Sequence, residues 1–410
     1  MRVLILFRGI VSISSYPFEG GFVPEVCEGI HRARHVVLDG DRVMENAWLH
    51  VEGGRILDVG RGRIPSGLAV TDHGERGLFP CFVNAHTHLE LSTLGLVDAE
   101  GGFEKWVQRL MEARSGFGSE ELILGVQEAL SAMKAGGTMA LGDVTTLGLS
   151  EEAIYSSGLG GIVFHESVGN HRQEVLPRKG SEKRPGFSLA GHGPHSTGPA
   201  LLRELKQKTR DHGLPFSIHL AESFGERAFV RGDNPAWASF LDQRGVDHGG
   251  WPLPADSPVR YLDTLGILDP ATLCVHLVYA DITDIRILAQ RGCAVCLCPR
   301  SNIYLHGMLP DLGSMVAEGI RPCLGTDSLA STPSLSMAHE LLFAAKRWSW
   351  LDPAFLFNMA SLYGAEALGI DMDYGSLTPG KRACFLVAEA GGHQPVADFV
   401  ALPEIYEVYG

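Results

Sequence analysis

The chain has 410 residues, of which 45% are hydrophobic and 20% are charged, and its formal net charge at pH 7 is −14. That length suits one large α/β barrel carrying a smaller domain, and the composition is ordinary for a globular protein with a large core. A negative charge without any basic run argues against an extended surface for nucleic acid.

The N-terminal stretch MRVLILFRGI has too short an apolar run for a secretory signal, which needs roughly 7–15 such residues. No stretch approaches the roughly 18 apolar residues that cross a bilayer, so we expect a cytoplasmic protein without a membrane partner. The 8 cysteines lie mostly inside apolar runs. Cys293, Cys296 and Cys298 are closely spaced, but no second pair follows at zinc-ribbon spacing, so we interpret them as core thiols.

The two ends of the chain show β patterns. Residues 1–30 fit no pattern and are left as an unassigned arm. Residues 31–76 contain short strands separated by "DGD" and "EGG" turns, which is typical of β-hairpins. A further turn and strand occur at 375–389. The sequence therefore predicts a small β-sandwich assembled from both ends, residues 1–77 and 373–410.

Between these ends, short apolar runs alternate with helical patterns. The predicted strands are 77–86, 138–144, 160–166, 187–193, 215–222, 272–278, 293–299 and 321–327. Each strand is followed by a helical pattern, such as 199–213, or by a connection long enough to hold one. This rhythm predicts a (β/α)8 barrel, of the TIM-barrel type, over residues 78–372. The long loop-rich segment 223–260 is expected to cover the active face.

Candidate metal ligands follow the predicted strands. His86 and His88 close the first strand, His219 lies near the end of the fifth, His276 near the end of the sixth and Asp327 at the end of the eighth. Each alone has an ordinary structural explanation, because a strand-end histidine often bonds a loop carbonyl and an aspartate often caps a helix. All five belong to the face where barrels carry their chemistry, so together they predict an active site.

These residue types suit a hydrolytic metal centre. Neutral imidazoles and a carboxylate bind Zn²⁺ or Fe²⁺ and leave a position for a water whose pKa the metal lowers. Three histidines and Asp327 would bind the metal, and Asp327 could also take a proton from the water. Glu222, three residues after His219, could act as a proton shuttle, although an acid favoured by a helix N-terminus explains it equally well. The predicted fourth strand has no lysine to bridge two metals, which favours one metal.

Five motifs, "PCFVNAHTHLELS", "IHLAES", "CVHLV", "CPRSN" and "LGTDSLAS", resemble the amidohydrolase superfamily, specifically its mononuclear aminohydrolases. The resemblance runs from roughly residue 35 to 390. It implies that the metal ligands are His86, His88, His219 and Asp327 and that the catalytic residues are Glu222, His276 and Asp327. In this scheme His276 orients the hydrolytic water, while Ser301 and Asn302 shape the site.

The resemblance also suggests substrate-binding residues. "GPHSTG" is similar to "GPHSPY" of deaminases acting on S-adenosylhomocysteine and methylthioadenosine, which makes His195 a candidate near the ribose and base. "FEKWVQRLMEAR" is similar to the helix that lines the pocket of aminodeoxyfutalosine deaminases, with Trp106 and Arg109 as candidates. An amphipathic helix with a core tryptophan explains those two equally well. His165 and Glu166 end the third strand and are further candidates.

The resemblance therefore implies hydrolytic deamination of an adenine-type nucleoside, with aminodeoxyfutalosine of the alternative menaquinone route as the leading substrate. S-adenosylhomocysteine, methylthioadenosine, guanine and cytosine are alternatives, as is hydrolysis of an amide or C–Cl bond. A metal-binding protein that has lost catalysis would be expected to lack Glu222 or Asp327, and both are present. One divalent metal per chain is expected, with zinc preferred to iron. A homodimer is inferred by analogy.

Overall fold

The computed structural model describes residues 27–169, 172, 174–181, 184–390 and 392–410. The unassigned arm at residues 1–30 lies outside this part of the chain except for its end, where Gly29 already begins the first strand. No helix of the described residues is both long and apolar enough to cross a membrane.

Strands form two sheets, one from the ends of the chain and one from its centre. In chain order the strands of the described residues are β1 (Gly29–Asp39), β2 (Arg42–Glu52), β3 (Arg55–Arg61), β4 (Val70–Asp72), β5 (Gly77–Pro80), β6 (Phe82–Thr87), β7 (Thr138–Thr145), β8 (Gly160–Ser167), β9 (Gly186–Gly191), β10 (Phe216–Leu220), β11 (Thr272–His276), β12 (Ala294–Leu297), β13 (Cys323–Leu324), β14 (Phe385–Ala388) and β15 (Ile405–Tyr409).

Helices connect the central strands. A 3₁₀ helix spans Leu89–Leu94, and the α-helices of the described residues are α1 (Phe103–Ser115), α2 (Ser119–Ala135), α3 (Glu151–Ser157), α4 (Pro199–His212), α5 (Phe224–Val230), α6 (Pro235–Gln243), α7 (Pro258–Thr264), α8 (Ile282–Arg291), α9 (Pro299–His306), α10 (Leu312–Ala317), α11 (Met337–Arg347), α12 (Pro353–Met359), α13 (Leu362–Ala367) and α14 (Pro395–Ala401).

The central sheet is a parallel barrel of eight strands. They follow one another in chain order from β6 to β13, and a parallel bridge between Thr87 and Asp327 joins the last strand to the first. Strands such as β7 are buried along their whole length, because helices cover the outer face and side chains fill the interior. The predicted (β/α)8 barrel is confirmed.

Helix α4 illustrates how the sequence directs this packing. Pro199 occupies its first turn, where a missing N–H costs nothing, and Gly213 ends it with a left-handed φ of 62°. Leu201, Leu202 and Leu205 lie on one face at helical spacing and are buried. The helix predicted at 199–213 is thereby confirmed, and its apolar stripe packs on β9 and β10.

The two ends of the chain form one mixed sheet with the order β15-β14-β5-β1-β2-β3, and β4 pairs with β1. β1 and β2 are antiparallel, whereas β1 and β5 are parallel. The "EGG" turn between β2 and β3 needs glycine, because Gly53 and Gly54 have φ values of 63° and 71°. The prediction that strands from both ends build one β-structure is confirmed.

One predicted strand is in fact two. The apolar run 77–86 contains β5, which belongs to the mixed sheet, and β6, which opens the barrel. Pro80 ends β5, where it cannot donate a hydrogen bond, and the chain changes sheets at Cys81. A continuous apolar run does not reveal this change, because both strands are fully buried. Similarly, the predicted strand 321–327 pairs as a strand over Cys323–Leu324 and otherwise through the single bridge from Asp327 to Thr87.

Candidate active site

Three imidazoles converge at the carboxyl end of the barrel strands. His86 is the penultimate residue of β6, His88 follows that strand, and His219 lies on β10. Nε2 of His88 lies 3.1 Å from Nε2 of His219. Two nitrogens on one tetrahedral zinc, each about 2.0–2.1 Å from it, lie about 3.3 Å apart. The spacing of these nitrogens therefore suits two ligands of one ion.

Asp327 brings a carboxylate to the same place. Its Oδ1 lies 3.8 Å from Nε2 of His86 and 3.7 Å from Nε2 of His88. Its Oδ2 accepts hydrogen bonds from the hydroxyls of Ser301, at 2.6 Å, and Ser331, at 2.8 Å. Because one oxygen is held by two hydroxyls, the other is left facing the histidines.

These donors fit a divalent metal. Both ring nitrogens of His86 are buried and lack a hydrogen-bond partner among the described residues. His219 is oriented by its Nδ1, which donates to the carbonyl of His192 at 2.8 Å and leaves Nε2 as the lone-pair nitrogen. Burial, and then the neighbouring His88, lowers the pKa of His219 to about 4, so the ring is neutral as a ligand must be.

Glu222 stands beside this cluster, just after the end of β10. Its Oε1 lies 3.8 Å from Nε2 of His276 and 3.6 Å from Nε2 of His306. Burial acts to raise the pKa of Glu222, but His276 and His306 outweigh it and hold that pKa below its usual value. The carboxylate is therefore ionised and available to accept a proton.

A second glutamate holds Glu222 in place. The carboxylate of Glu226 accepts hydrogen bonds from the backbone amides of Ala221, at 2.9 Å, and Glu222, at 2.7 Å. Burial raises the pKa of Glu226 to about 8. We did not predict this residue, although Ser223 followed three residues later by Glu226 is a capping-box pattern that signals a glutamate bonding to nearby backbone amides.

The backbone around the site is unusual. Left-handed φ values at residues other than glycine occur at Ala221, His276, Leu277 and Asp327, each close to the end of a barrel strand. Such conformations cost of order 1–3 kcal/mol each and persist where the surrounding structure imposes them. Their concentration at the strand ends indicates that these side chains are oriented by a backbone conformation that lowers the stability of the fold.

A cavity of about 430 Å³ opens in front of these residues, within the range of small-molecule sites. One wall is the face of α1 that carries Val107, Leu110 and Met111, and the opposite wall includes Trp237 and Phe240 of α6. His88, His219, Glu222, His276 and Asp327 line its inner end. The walls are mostly apolar and the inner end is polar, so the reacting part of a ligand would sit against the histidines.

The amidohydrolase family model matches residues 78–409, which span the barrel and reach into β15. The chain belongs to the amidohydrolase family. It is thus a hydrolase that acts on C–N bonds. The motif resemblance to this superfamily is confirmed.

Two curated relatives and one solved structure illustrate the similarity. The chain is 31% identical over 306 residues to an aminodeoxyfutalosine deaminase of Deinococcus radiodurans, covering 70% of this chain and 72% of the relative. It is 29% identical over 374 residues to a 5-methylthioadenosine/S-adenosylhomocysteine deaminase of Nitratidesulfovibrio vulgaris, covering 84% and 80%. An adenosine deaminase from Xanthomonas campestris with bound zinc matches with a TM-score of 0.72 and 20% identity over 95% and 92% of the chains, a likeness of fold.

Two further residues predicted for this site, Ser301 and Asn302, hold candidate catalytic groups in place through hydrogen bonds. Ser301 bonds Asp327, as described above. Asn302 places its Oδ1 2.9 Å from Nδ1 of His276. Because an amide oxygen can only accept, this bond places the proton of His276 on Nδ1 and leaves Nε2 facing Glu222.

The structure separates the other three residues predicted to bind substrate, Trp106, His195 and Arg109. Trp106 lines the cavity, and its Nε1 donates to the carbonyl of Ala330 at 3.3 Å. His195 lies behind the lining, with its ring 4.9 Å from that of Trp237. Arg109 is not brought to the cavity: it donates to the carbonyl of Asp98 at 3.0 Å on the outer side of α1.

Other lining residues had little or no signal in the sequence. Glu166, a minor candidate, lines the cavity, and burial raises its pKa to about 8. Its neighbour His165 points elsewhere, with Nε2 3.2 Å from Glu151. His192 and Arg114 also line the cavity and were not predicted. For Arg114 a signal existed, since Val107, Leu110, Met111 and Arg114 follow the i, i+3, i+4, i+7 spacing of one helix face.

Proposed function

We propose that this amidohydrolase deaminates an adenine-type nucleoside by hydrolysis, releasing ammonia. The observation that carries the proposal is the position of Glu222, whose Oε1 lies 3.8 Å from Nε2 of His276 in an apolar cavity that the metal-ligand candidates His88, His219 and Asp327 also line. A hydrolytic deaminase needs a group there that can move a proton between solvent-derived oxygen, ring nitrogen and leaving amine. The names of the curated relatives support the same reaction.

One divalent metal, zinc rather than iron, would be held by His86, His88, His219 and Asp327. When bound, it would supply a water that is ionised near neutral pH. The three neutral imidazoles and one carboxylate are a donor set that zinc accepts, and the unpartnered nitrogens of His86 support this assignment. The zinc in the Xanthomonas campestris structure supports the choice of metal.

The residues of the chain would then divide the proton transfers. Oδ1 of Asp327 takes a proton from the attacking water, since Oδ2 is already occupied by two hydroxyls. Glu222, which is ionised at rest, receives a proton that originates in the water and passes it to the ring nitrogen beside the attacked carbon. The second proton of the water, released as the C=O bond forms, is delivered by Glu222 to the amine, which leaves as ammonia. Nε2 of His276 faces the attacking oxygen and orients it towards the carbon of the substrate ring. The bond from Nδ1 to Asn302 holds the imidazole in this position. The mostly apolar walls limit the access of bulk water to the reacting carbon.

Aminodeoxyfutalosine, an intermediate of the alternative menaquinone route, is the proposed substrate. The 31% identical relative from Deinococcus radiodurans supports it, as does the tryptophan-bearing helix α1 along the cavity. Methylthioadenosine and S-adenosylhomocysteine are the competing substrates, because relatives named for them cover more of this chain. The homodimer expected by analogy stays a prediction.

The test is ammonia release from metal-loaded protein with aminodeoxyfutalosine, methylthioadenosine, S-adenosylhomocysteine, adenosine, guanine and cytosine. One preferred purine nucleoside with kcat/KM of about 10⁴–10⁶ M⁻¹s⁻¹ would support the proposal. Ammonia release from guanine or cytosine alone would contradict a nucleoside substrate and indicate that the substrate is a free base. No ammonia from any of them, with the metal bound, would contradict deamination and favour an amide or C–Cl substrate on the same site.

A further inference from the structure

Two guanidinium groups line the cavity without a carboxylate partner. Arg114 belongs to the last turn of α1 and is half-buried, and Arg244 directly follows α6. Nη2 of Arg114 donates to the hydroxyl of Thr146 at 2.9 Å. Nη2 of Arg244 contacts Sδ of Met111 at 3.4 Å. Among the described residues, no carboxylate oxygen lies within 4.0 Å of either guanidinium.

Arg244 contacts the face of α1 that carries Arg114. Met111 lies three residues before Arg114 on α1, so both occupy the same face of that helix. Arg244 therefore reaches from the α6 side across to the α1 face that carries Arg114. Its guanidinium also lies 5.1 Å from the centre of the Phe240 ring, which holds it over an apolar wall.

Two acidic side chains that line the same cavity as Arg114 have other partners. Glu90 lines the same cavity, but its oxygens accept hydrogen bonds from the hydroxyl of Thr145 and from backbone amides that include those of Thr146 and Leu147. Glu166 also lines the cavity, but its Oε1 lies 3.6 Å from Nδ1 of His219, and neither of its oxygens lies within 4.0 Å of Arg114. Neither carboxylate therefore forms an ion pair with Arg114.

A ligand must enter with its reacting ring at the inner end, next to Glu222. In a nucleoside, the substituent on the 5′ carbon of the sugar is the part farthest from the amino group of the ring. That arm would extend between the apolar walls of α1 and α6 towards Arg114. An arginine at the end of an apolar passage matches an anionic group at the end of an apolar arm.

We propose that Arg114, assisted by Arg244, selects nucleosides whose 5′ substituent ends in a carboxylate. This inference rests on the proposed deaminase function and narrows its substrate class. Aminodeoxyfutalosine carries a benzoate on that arm, and S-adenosylhomocysteine carries an amino-acid carboxylate. Methylthioadenosine and 5′-deoxyadenosine end in neutral groups, and they lack the anion that the guanidinium binds.

The experiment measures kcat and KM of the metal-loaded full chain for these four nucleosides. The wild type should prefer the two carboxylate-bearing nucleosides. Arg114→Gln should lower kcat/KM for these two by ~10- to 100-fold, mainly through KM, because a hydrogen bond to a charged group is lost. The same change should leave the two neutral nucleosides unaffected. Arg114→Lys, which keeps the charge without the planar fork, should restore part of the loss.

Arg109→Gln is the matched control, because Arg109 lies on the same helix and binds backbone carbonyls outside the cavity. This variant should leave kcat/KM unchanged for both the carboxylate-bearing and the neutral nucleosides. Arg244→Gln should lower kcat/KM for the carboxylate-bearing nucleosides by a smaller factor and leave the neutral ones unchanged. Because Arg244 is exposed, this variant tests the inference even if the Arg114 variants fold poorly.

Equal kcat/KM of the wild type for charged and neutral nucleosides would overturn the inference and leave the deaminase function standing. If Arg114→Gln lowers kcat/KM equally for charged and neutral nucleosides, the inference is overturned as well, because Arg114 would then have a structural role. Failure of every nucleoside, charged or neutral, to release ammonia would instead overturn the deaminase function and this inference with it.

Discussion

Asn302 and His276 are joined by a hydrogen bond of 2.9 Å between Oδ1 and Nδ1. Asn302 lies in α9, directly after β12, while His276 ends β11 with a left-handed φ of 78°. Both side chains are almost fully buried. The amide therefore sets the tautomer and the orientation of a ring whose other nitrogen faces Glu222.

Loss of that amide should damage catalysis without removing the metal. We expect Asn302→Ala to lower kcat by about 10-fold or more, because the ring of His276 can then rotate or carry its proton on the wrong nitrogen. Asn302→Asp keeps an acceptor at the same position and should retain more activity than the alanine variant. Steady-state kinetics with metal analysis would check this. A normal kcat in Asn302→Ala would mean that the strained backbone alone positions His276.

The proton-shuttle role of Glu222 can be tested separately from metal binding. Glu222→Gln preserves size and hydrogen-bonding capacity but cannot accept a proton, so turnover should fall by ~10²-fold or more. Metal content should stay near that of the wild type, since Glu222 is not among the four expected ligands. Single-turnover measurements would show whether the loss lies in chemistry. Full activity would remove Glu222 from the mechanism.

Metal binding should depend on His86. Both of its nitrogens are buried and lack a partner among the described residues, so the ring has no evident structural function beyond ligation. We expect His86→Ala to lose the metal, and we expect chelation followed by zinc to restore activity to the wild type only. His165→Ala is the control, because His165 is also a buried strand-end histidine but contacts Glu151. One tightly bound metal per chain in His86→Ala, measured by atomic emission, would show that the ligand set is wrong.

A pair of histidines in the mixed sheet should make stability depend on pH. Nδ1 of His31 lies 3.1 Å from Nε2 of His73, and the pair packs against Phe385 and Tyr409. Burial, followed by the charge of His73, lowers the pKa of His31 to about 4. Burial also lowers the pKa of His73. Protonation of both rings would break their contact.

The sign of the effect follows from linkage. The unfolded chain binds a proton at His31 with a pKa near 6.5, whereas the folded protein does so only near pH 4. The contribution to stability is therefore complete above pH 6.5 and is lost as the pH falls towards 4. The urea midpoint should drop over this range, and His31→Gln should make the drop shallower. An equal drop in both proteins would show that other groups account for it.

Much of this architecture could be predicted because local patterns and barrel geometry agree. A parallel strand covered on both faces appears in the sequence as a largely apolar run, as at 138–144 and 272–278. Parallel barrel strands share one carboxyl end, so residues that follow them must meet in space. The metal-ligand candidates therefore came together without any knowledge of loop conformation.

Other features were decided only by tertiary packing. Arg109 and Arg114 lie on one helix about 140° apart, and which of them faces the cavity depends on how α1 is rotated against its neighbours. The change of sheet at Pro80 is hidden because both adjoining strands are apolar and buried. The contacts of Asn302 with His276 and of Ser301 with Asp327 join residues 26 positions apart, which no periodicity records. The sequence by itself determined which residue types stand at the strand ends. Only the folded chain decided which faces the helices present and which lone pairs stay free, because both depend on contacts between segments far apart in the chain.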